Sequence, residues 1–128
     1  MENQNNPQIQ RKKILIIEDE KAIARAIEIK LNKTGYLAKA VFDGETGLKE
    51  LGLGGYDLVL LDIMMPIIDG WSVLSKIKER NIQVKVIITS NLNQDEDARR
   101  AKEMGAVGFL VKSNASLTNI IDEVKNFL

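Results

Sequence analysis

Apolar residues follow two rhythms along this chain. Short, nearly unbroken aliphatic runs alternate with longer stretches in which apolar residues recur every three or four positions. The runs KILII (Lys13 to Ile17), LVLL (Leu58 to Leu61), VKVIIT (Val84 to Thr89) and GFLV (Gly108 to Val111) predict strands. Three of them are aliphatic almost throughout, as strands are when both faces are covered in a parallel sheet. A weaker fifth segment, LAKAVF (Leu37 to Phe42), alternates and carries Lys39, which fits an edge strand.

The intervening stretches predict helices. EKAIARAIEIKLNKTG places Ile23, Ile27 and Leu31 four apart and stops at Gly35. DGETGLKELG is a short second helix. WSVLSKIKERN sets Val73, Leu74 and Ile77 on one stripe. NQDEDARRAKEMGA has only Ala98, Ala101 and Met104 as an apolar face, whereas SLTNIIDEVKNFL spaces Leu117, Ile120, Ile121, Val124 and Leu128 helically. The order βαβαβαβαβα predicts an α/β fold, a doubly wound parallel sheet with right-handed crossovers.

At 128 residues the chain suits one domain and one core. The first twelve residues, rich in Asn and Gln and carrying Pro7, read as a disordered tail, with the domain over 13–128. That tail lacks the apolar core of a signal peptide, and no apolar stretch approaches the ~20 residues of a membrane span. A cytoplasmic protein is expected, with no membrane partner. Formal net charge is zero, so no basic excess exists to track nucleic acid. Cysteine and histidine are both absent, which excludes disulfides, thiolate or imidazole metal ligands, and a histidine phosphoryl carrier within this chain.

Candidate chemistry lies just beyond the strands. Open α/β sheets bind ligands at the carboxyl ends of their strands. Strand one runs into Glu18, Asp19 and Glu20, strand three into Asp62, strand four into Thr89 and Ser90, and strand five into Lys112. Each piece alone is ordinary: an acidic helix start, a turn former, a turn hydroxyl. Together they bring Glu18, Asp19 and Asp62 to one rim with only Lys112 opposing them. Carboxylates so close raise each other's pKa unless a cation joins them. The available ligands are hard oxygens, which points to Mg²⁺, with Mn²⁺ as the other choice. A dication with one lysine and one hydroxyl is a phosphoryl-handling constellation.

Four motifs, IIEDE, LLDIMMPIIDG, ITS and GFLVK, in this order on a βα alternation, resemble the receiver domain of two-component response regulators, over roughly Lys13 to Leu128. The resemblance implies a flavodoxin-like sheet of strand order 2-1-3-4-5 with five helices. It implies that Asp62 is the phosphoacceptor, taking a phosphoryl group from a partner histidine kinase or phosphotransfer protein. Asp19 and Asp62 match metal ligands, Glu18 a ligand acting through water, and Met64 a ligand through its backbone carbonyl. Lys112 matches the lysine that pairs with phosphoryl oxygens. Ser90, favoured over Thr89 by its spacing to Lys112, matches the switch hydroxyl, and Phe109 the aromatic switch. Pro66 and Gly70 match the loop after the acceptor. The domain would catalyse only its own phosphoryl transfer and dephosphorylation, and would signal to a protein target through helix four, strand five and helix five.

Two positions depart from the family pattern: Ser113 stands where a proline, often cis, usually follows the lysine, and Asn91 where a small residue follows the hydroxyl. Apolar Met64 and Leu92 flank the site and cannot orient an attacking water, so slow self-dephosphorylation is expected. The competing readings are a receiver-like binding module that takes no phosphate and a haloacid-dehalogenase-like phosphatase. The second wants an aspartate where Met64 stands. A stand-alone receiver and a piece of a longer regulator are both compatible with the sequence.

Overall fold

The structure is a computed structural model that describes residues 11–91, 95–112 and 116–128. Five strands and five helices alternate: β1 (Lys13–Ile17), α1 (Lys21–Thr34), β2 (Leu37–Val41), α2 (Gly44–Gly52), β3 (Leu58–Asp62), α3 (Gly70–Glu79), β4 (Lys85–Ser90), α4 (Asp95–Glu103), β5 (Gly108–Val111) and α5 (Leu117–Phe127). All pairings are parallel and the strand order is β2-β1-β3-β4-β5, as the resemblance implied.

The unbroken aliphatic runs follow from burial on two sides. Leu15, Ile17, Val59, Leu61, Val86 and Ile88 join a core beneath α2, α3 and α4. Their alternating neighbours Ile14, Ile16, Leu58, Leu60 and Ile87 join a second core beneath α1 and α5. The period of two along each strand sorts the side chains between these layers. On α1 the buried stripe is Ala24, Ile27 and Leu31, with Ile23 only at its margin. Gly35 closes that helix in the left-handed region at φ 110°. The predicted strand ends move by one residue: β3 extends through Asp62, and β4 covers Lys85–Ser90. These shifts place the polar residues within the sheet's last rung instead of in the loops after it.

β2 is an edge strand, and its outward backbone groups are not left open. The Ala38 N–H donates to Asn32 Oδ1 at 2.9 Å, Asn32 Nδ2 donates to the Ala38 carbonyl at 3.1 Å, and the Ala40 N–H donates to Glu28 Oε2 at 2.7 Å. Two side chains of α1 thus occupy the row of groups through which a foreign strand would pair. The double variant Glu28→Ala/Asn32→Ala should lose about 1–2 kcal/mol and scatter light at lower temperature on heating. Unchanged scattering would show that the edge is protected otherwise.

Candidate functional site

The carboxyl end of the sheet gathers the polar residues that the strands deliver. Asp62 is the last residue of β3 and is 1% exposed, and Glu18, directly after β1, is 3% exposed. Asp19 beside it is half-buried. Glu18, Asp19 and Asp62 each present a carboxylate oxygen within 4.8 Å of the others.

Lys112 enters from the end of β5, held by its N–H donating to the Ser90 carbonyl at 2.7 Å. Its Nζ lies 2.7 Å from Glu18 Oε1, 3.4 Å from Asp62 Oδ1 and 3.7 Å from Glu20 Oε1. Thr89 is the register partner of Asp62 across β3 and β4, and Ser90 pairs with Val111. Both hydroxyl residues are buried.

The loop after β3 is tied tightly to the sheet. The Ile63 N–H donates to the Thr89 carbonyl at 3.0 Å, and the Gly70 N–H donates to the Ile63 carbonyl at 2.8 Å. Asp62 Oδ1 accepts from the Met64 N–H at 3.3 Å. Asp69 caps α3 by accepting from the Ser72 N–H at 2.8 Å. Gly70 then lies so close to β3 that a Cβ there would fall on the Asp62 carbonyl oxygen and within 2.6 Å of Ile63 Cα. Absence of a side chain at Gly70 is what lets α3 begin against the backbone that carries Asp62.

The electrostatics show a site short of positive charge. Burial first, and the neighbouring Glu18 charge second, push the Asp62 carboxyl up from 3.8 to about 7; the Lys112 charge opposes this without cancelling it. Burial would lower Lys112, but its hydrogen bond to Glu18 and the charges of Asp62 and Glu18 outweigh that, so its pKa rises and it stays protonated. Three clustered carboxylates, two of them buried, against one ammonium form a hard-oxygen donor set that a small divalent cation fits.

Every predicted site residue with described geometry except Phe109 lies at this rim. Phe109 packs half-buried at the margin of the α2–α3–α4 core, beside Ile88 in register. Leu92 and Ser113 lie outside the described residues. Two pairings were not legible in the sequence: Glu20 with Lys112, and Trp71 with Arg100, whose guanidinium carbon sits 4.3 Å from the ring centre and links α3 to α4. A helical period shows that Trp71 and Arg100 each border a buried stripe, but nothing local pairs them.

The model of the response regulator receiver domain matches residues 14–125. The chain belongs to the response regulator receiver-domain family. It is 39% identical over 100 residues, 78% of its length, to the transcriptional regulatory protein DltR of Streptococcus agalactiae, covering 45% of that protein. It is 32% identical over 116 residues, 91% of its length, to the transcriptional regulatory protein PcoR of Escherichia coli, covering 51% of that protein. This receiver domain therefore spans about half the length of these curated relatives. Among solved structures, the Francisella response regulator 1452 receiver domain superimposes with a TM-score of 0.86 at 32% identity, over 91% of this chain and 96% of that one. TrrA of Thermotoga maritima, solved in complex with Mg²⁺-BeF, gives 0.79 at 31% identity, over 91% and 99%. Among the described residues of the receiver domain, no helix is long and apolar enough to cross a membrane.

Proposed function

We propose that this receiver domain, residues 13–128 behind a short N-terminal tail, is a cytoplasmic phosphorylation-activated switch with Asp62 as its acceptor. The observation that supports this most is the buried Asp62 carboxylate at the tip of β3, with Lys112 Nζ 3.4 Å away and two more carboxylates alongside. The histidine that donates must belong to a partner kinase or phosphotransfer protein, since this chain contains none. A carboxylate oxygen of Asp62 attacks phosphorus and forms the acyl phosphate bond. The phosphorus–nitrogen bond breaks, and its electron pair and a proton remain on the partner's imidazole.

Asp19 and Asp62, with the Met64 carbonyl and Glu18 through water, would hold Mg²⁺, and Mn²⁺ suits the same ligands. When bound it supplies the positive charge that the transferring phosphoryl oxygens need. Lys112 neutralises a further phosphoryl oxygen and must leave Glu18 at least in part to do so. β3, buried on both faces, fixes the direction of attack. The domain's own turnover is confined to this transfer and to loss of the phosphoryl group. Mass measurement of the intact protein after treatment with Mg²⁺ and acetyl phosphate tests the reading; no gain of a phosphoryl group would reject it.

The output runs from Ser90 through Phe109 to the face formed by α4, β5 and α5. Ser90 turns toward the added oxygens, and Phe109 fills the space it leaves. α4 is the least buried of the five helices: Ala101 is its one buried residue among those described, with Ala98, and Met104 just beyond its end, only half-covered. The Arg100 stack on Trp71 holds it to α3 at rest. Beryllium fluoride with Mg²⁺ should therefore change amide-exchange protection across α4 and β5 and shift the emission of Trp71, the chain's one tryptophan. Arg100→Ala should alter the resting emission and shrink the shift. Equal protection with and without the mimic would count against this route. The target is a protein, and the names of DltR and PcoR make the control of transcription the natural outlet of a longer regulator.

A further inference from the structure

Ile67 has no role in the chemistry above, yet its placement is costly. It is fully exposed, and its backbone lies in the left-handed region at φ 70°. That region disfavours β-branched residues and suits glycine or asparagine. The other non-glycine residue with positive φ is Asn81, a type that tolerates it. An isoleucine held in this conformation with its side chain in water gains nothing from the fold itself.

Ile67 stands where two hollows meet. One, of about 420 Å³, runs between α2 and α3 and is floored by Leu48 and Ile68. The other, of about 320 Å³, continues past Pro66 toward the start of α2. The first hollow is lined by apolar Leu48, Ile67 and Ile68 and by Lys49, Lys76 and Arg80, with Glu45 as its one carboxylate. Glu45 also lines the second hollow, where Asp43 adds another carboxylate, so the positive charge is concentrated in the first. Lys76 lies on α3 and Arg80, four positions on, caps its C-terminal end, and both line the hollow. The chain as a whole is neutral, so this clustering is a local feature.

We propose that the α2–α3 groove is a docking surface for an acidic amphipathic segment of a partner protein. Apolar side chains of that segment would cover Ile67 and reach Leu48 and Ile68, and its carboxylates would meet Lys49, Lys76 and Arg80. The concave shape, the presence of Glu45 and the pairing of Lys76 with Glu79 at 3.3 Å favour a protein segment over an anionic membrane. This surface is separate from the α4–β5–α5 face and does not depend on phosphorylation, so it can hold or fail independently of the switch reading.

The test uses isotope-labelled, unphosphorylated protein and two synthetic helical peptides with the same leucine stripe, one with a glutamate and one with a lysine polar face. Amide resonances of Leu48, Lys49, Ile67, Ile68, Lys76 and Arg80 should shift with the glutamate peptide and not with the lysine peptide. The double variant Lys76→Glu/Arg80→Glu should weaken binding at least about fivefold. Ile67→Gly should weaken it too, while the free protein melts no lower, because glycine relieves the backbone. That pairing separates loss of an anchor from loss of fold. Shifts equal for both peptides, shifts confined to another face, or no shift up to millimolar peptide would overturn the proposal. So would concentration-dependent shifts without peptide, which would make the occupant a second copy, or co-sedimentation with anionic vesicles through the same residues.

Discussion

Asp62→Asn is expected to abolish phosphoryl uptake completely. With Mg²⁺ and acetyl phosphate the wild-type protein should gain the mass of one phosphoryl group, and the variant none, because an amide cannot supply the attacking oxygen. A gain of equal size in the variant would move the acceptor elsewhere. The same substitution carries a second, physical expectation for the metal-free protein. The Asp62 carboxyl is raised to about 7 when folded, against 3.8 as its ordinary value. Between those limits the unfolded chain gives up this proton and the folded protein keeps it. Stability from this group is therefore fully present below about pH 4 and is lost as pH rises toward 7. Above that it is level, lower by on the order of 2–4 kcal/mol at most.

Asparagine is uncharged throughout, so the variant's profile should lack this descent, and it should be the more stable protein at neutral pH in chelator. Mg²⁺ should restore stability to the wild type at neutral pH, and much less to the variant. Urea denaturation across pH, with and without the metal, measures all of this. A wild-type profile that is flat from pH 4 to 7 in chelator would show that Lys112 already balances the site.

Gly70→Ala is the second large effect. The new methyl would meet backbone, the Asp62 carbonyl and Ile63 Cα, which cannot swing aside as a side-chain tip does. A loss of about 2–3 kcal/mol is expected, with slower phosphoryl uptake because the displaced backbone is the one that carries the acceptor. Gly52→Ala provides the contrast. It lies in the last turn of α2 with nothing within 4 Å of its added carbon, so the same chemical change should be neutral or stabilising by up to about 1 kcal/mol. Similar losses at both positions would mean that helix-end flexibility, and not contact with β3, governs Gly70.

Legibility differed by the range of the interaction. β1, β3 and β4 were readable because burial on both faces makes them aliphatic everywhere except at their ends. Gly35 marked the end of α1, and Lys39 marked β2 as an edge. Element ends were less readable. Asp62 and Ser90 look like loop residues in sequence, yet both belong to strands, because pairing with Thr89 and with Val111 keeps their backbones extended. Ala24 escaped notice on α1 because a small residue contributes little to an apolar period, although it is wholly buried there.

The site separates along the same line. Its members could be named from sequence, since they lie at or just beyond the ends of strands, parallel strands all end at one rim, and the four motifs there resemble those of a known family. The pairings among them could not. Lys112 is 94 positions from Glu18 and forms with it the closest ion pair of the site, and Glu20 joins through the same ammonium.

By itself, the sequence determined the α/β alternation, the parallel sheet, the acidic composition of the rim and the absence of any histidine of its own. Periodicity and residue chemistry are local, and a few neighbouring positions suffice to express them. The tertiary structure alone decided how much charge the rim leaves uncompensated, that Gly70 must lack a side chain, that α1 seals the edge of β2, and that Ile67 stands exposed above a cationic groove. Each of those depends on distances between residues far apart along the chain, and burial and Coulomb energy take their size only once such distances are set.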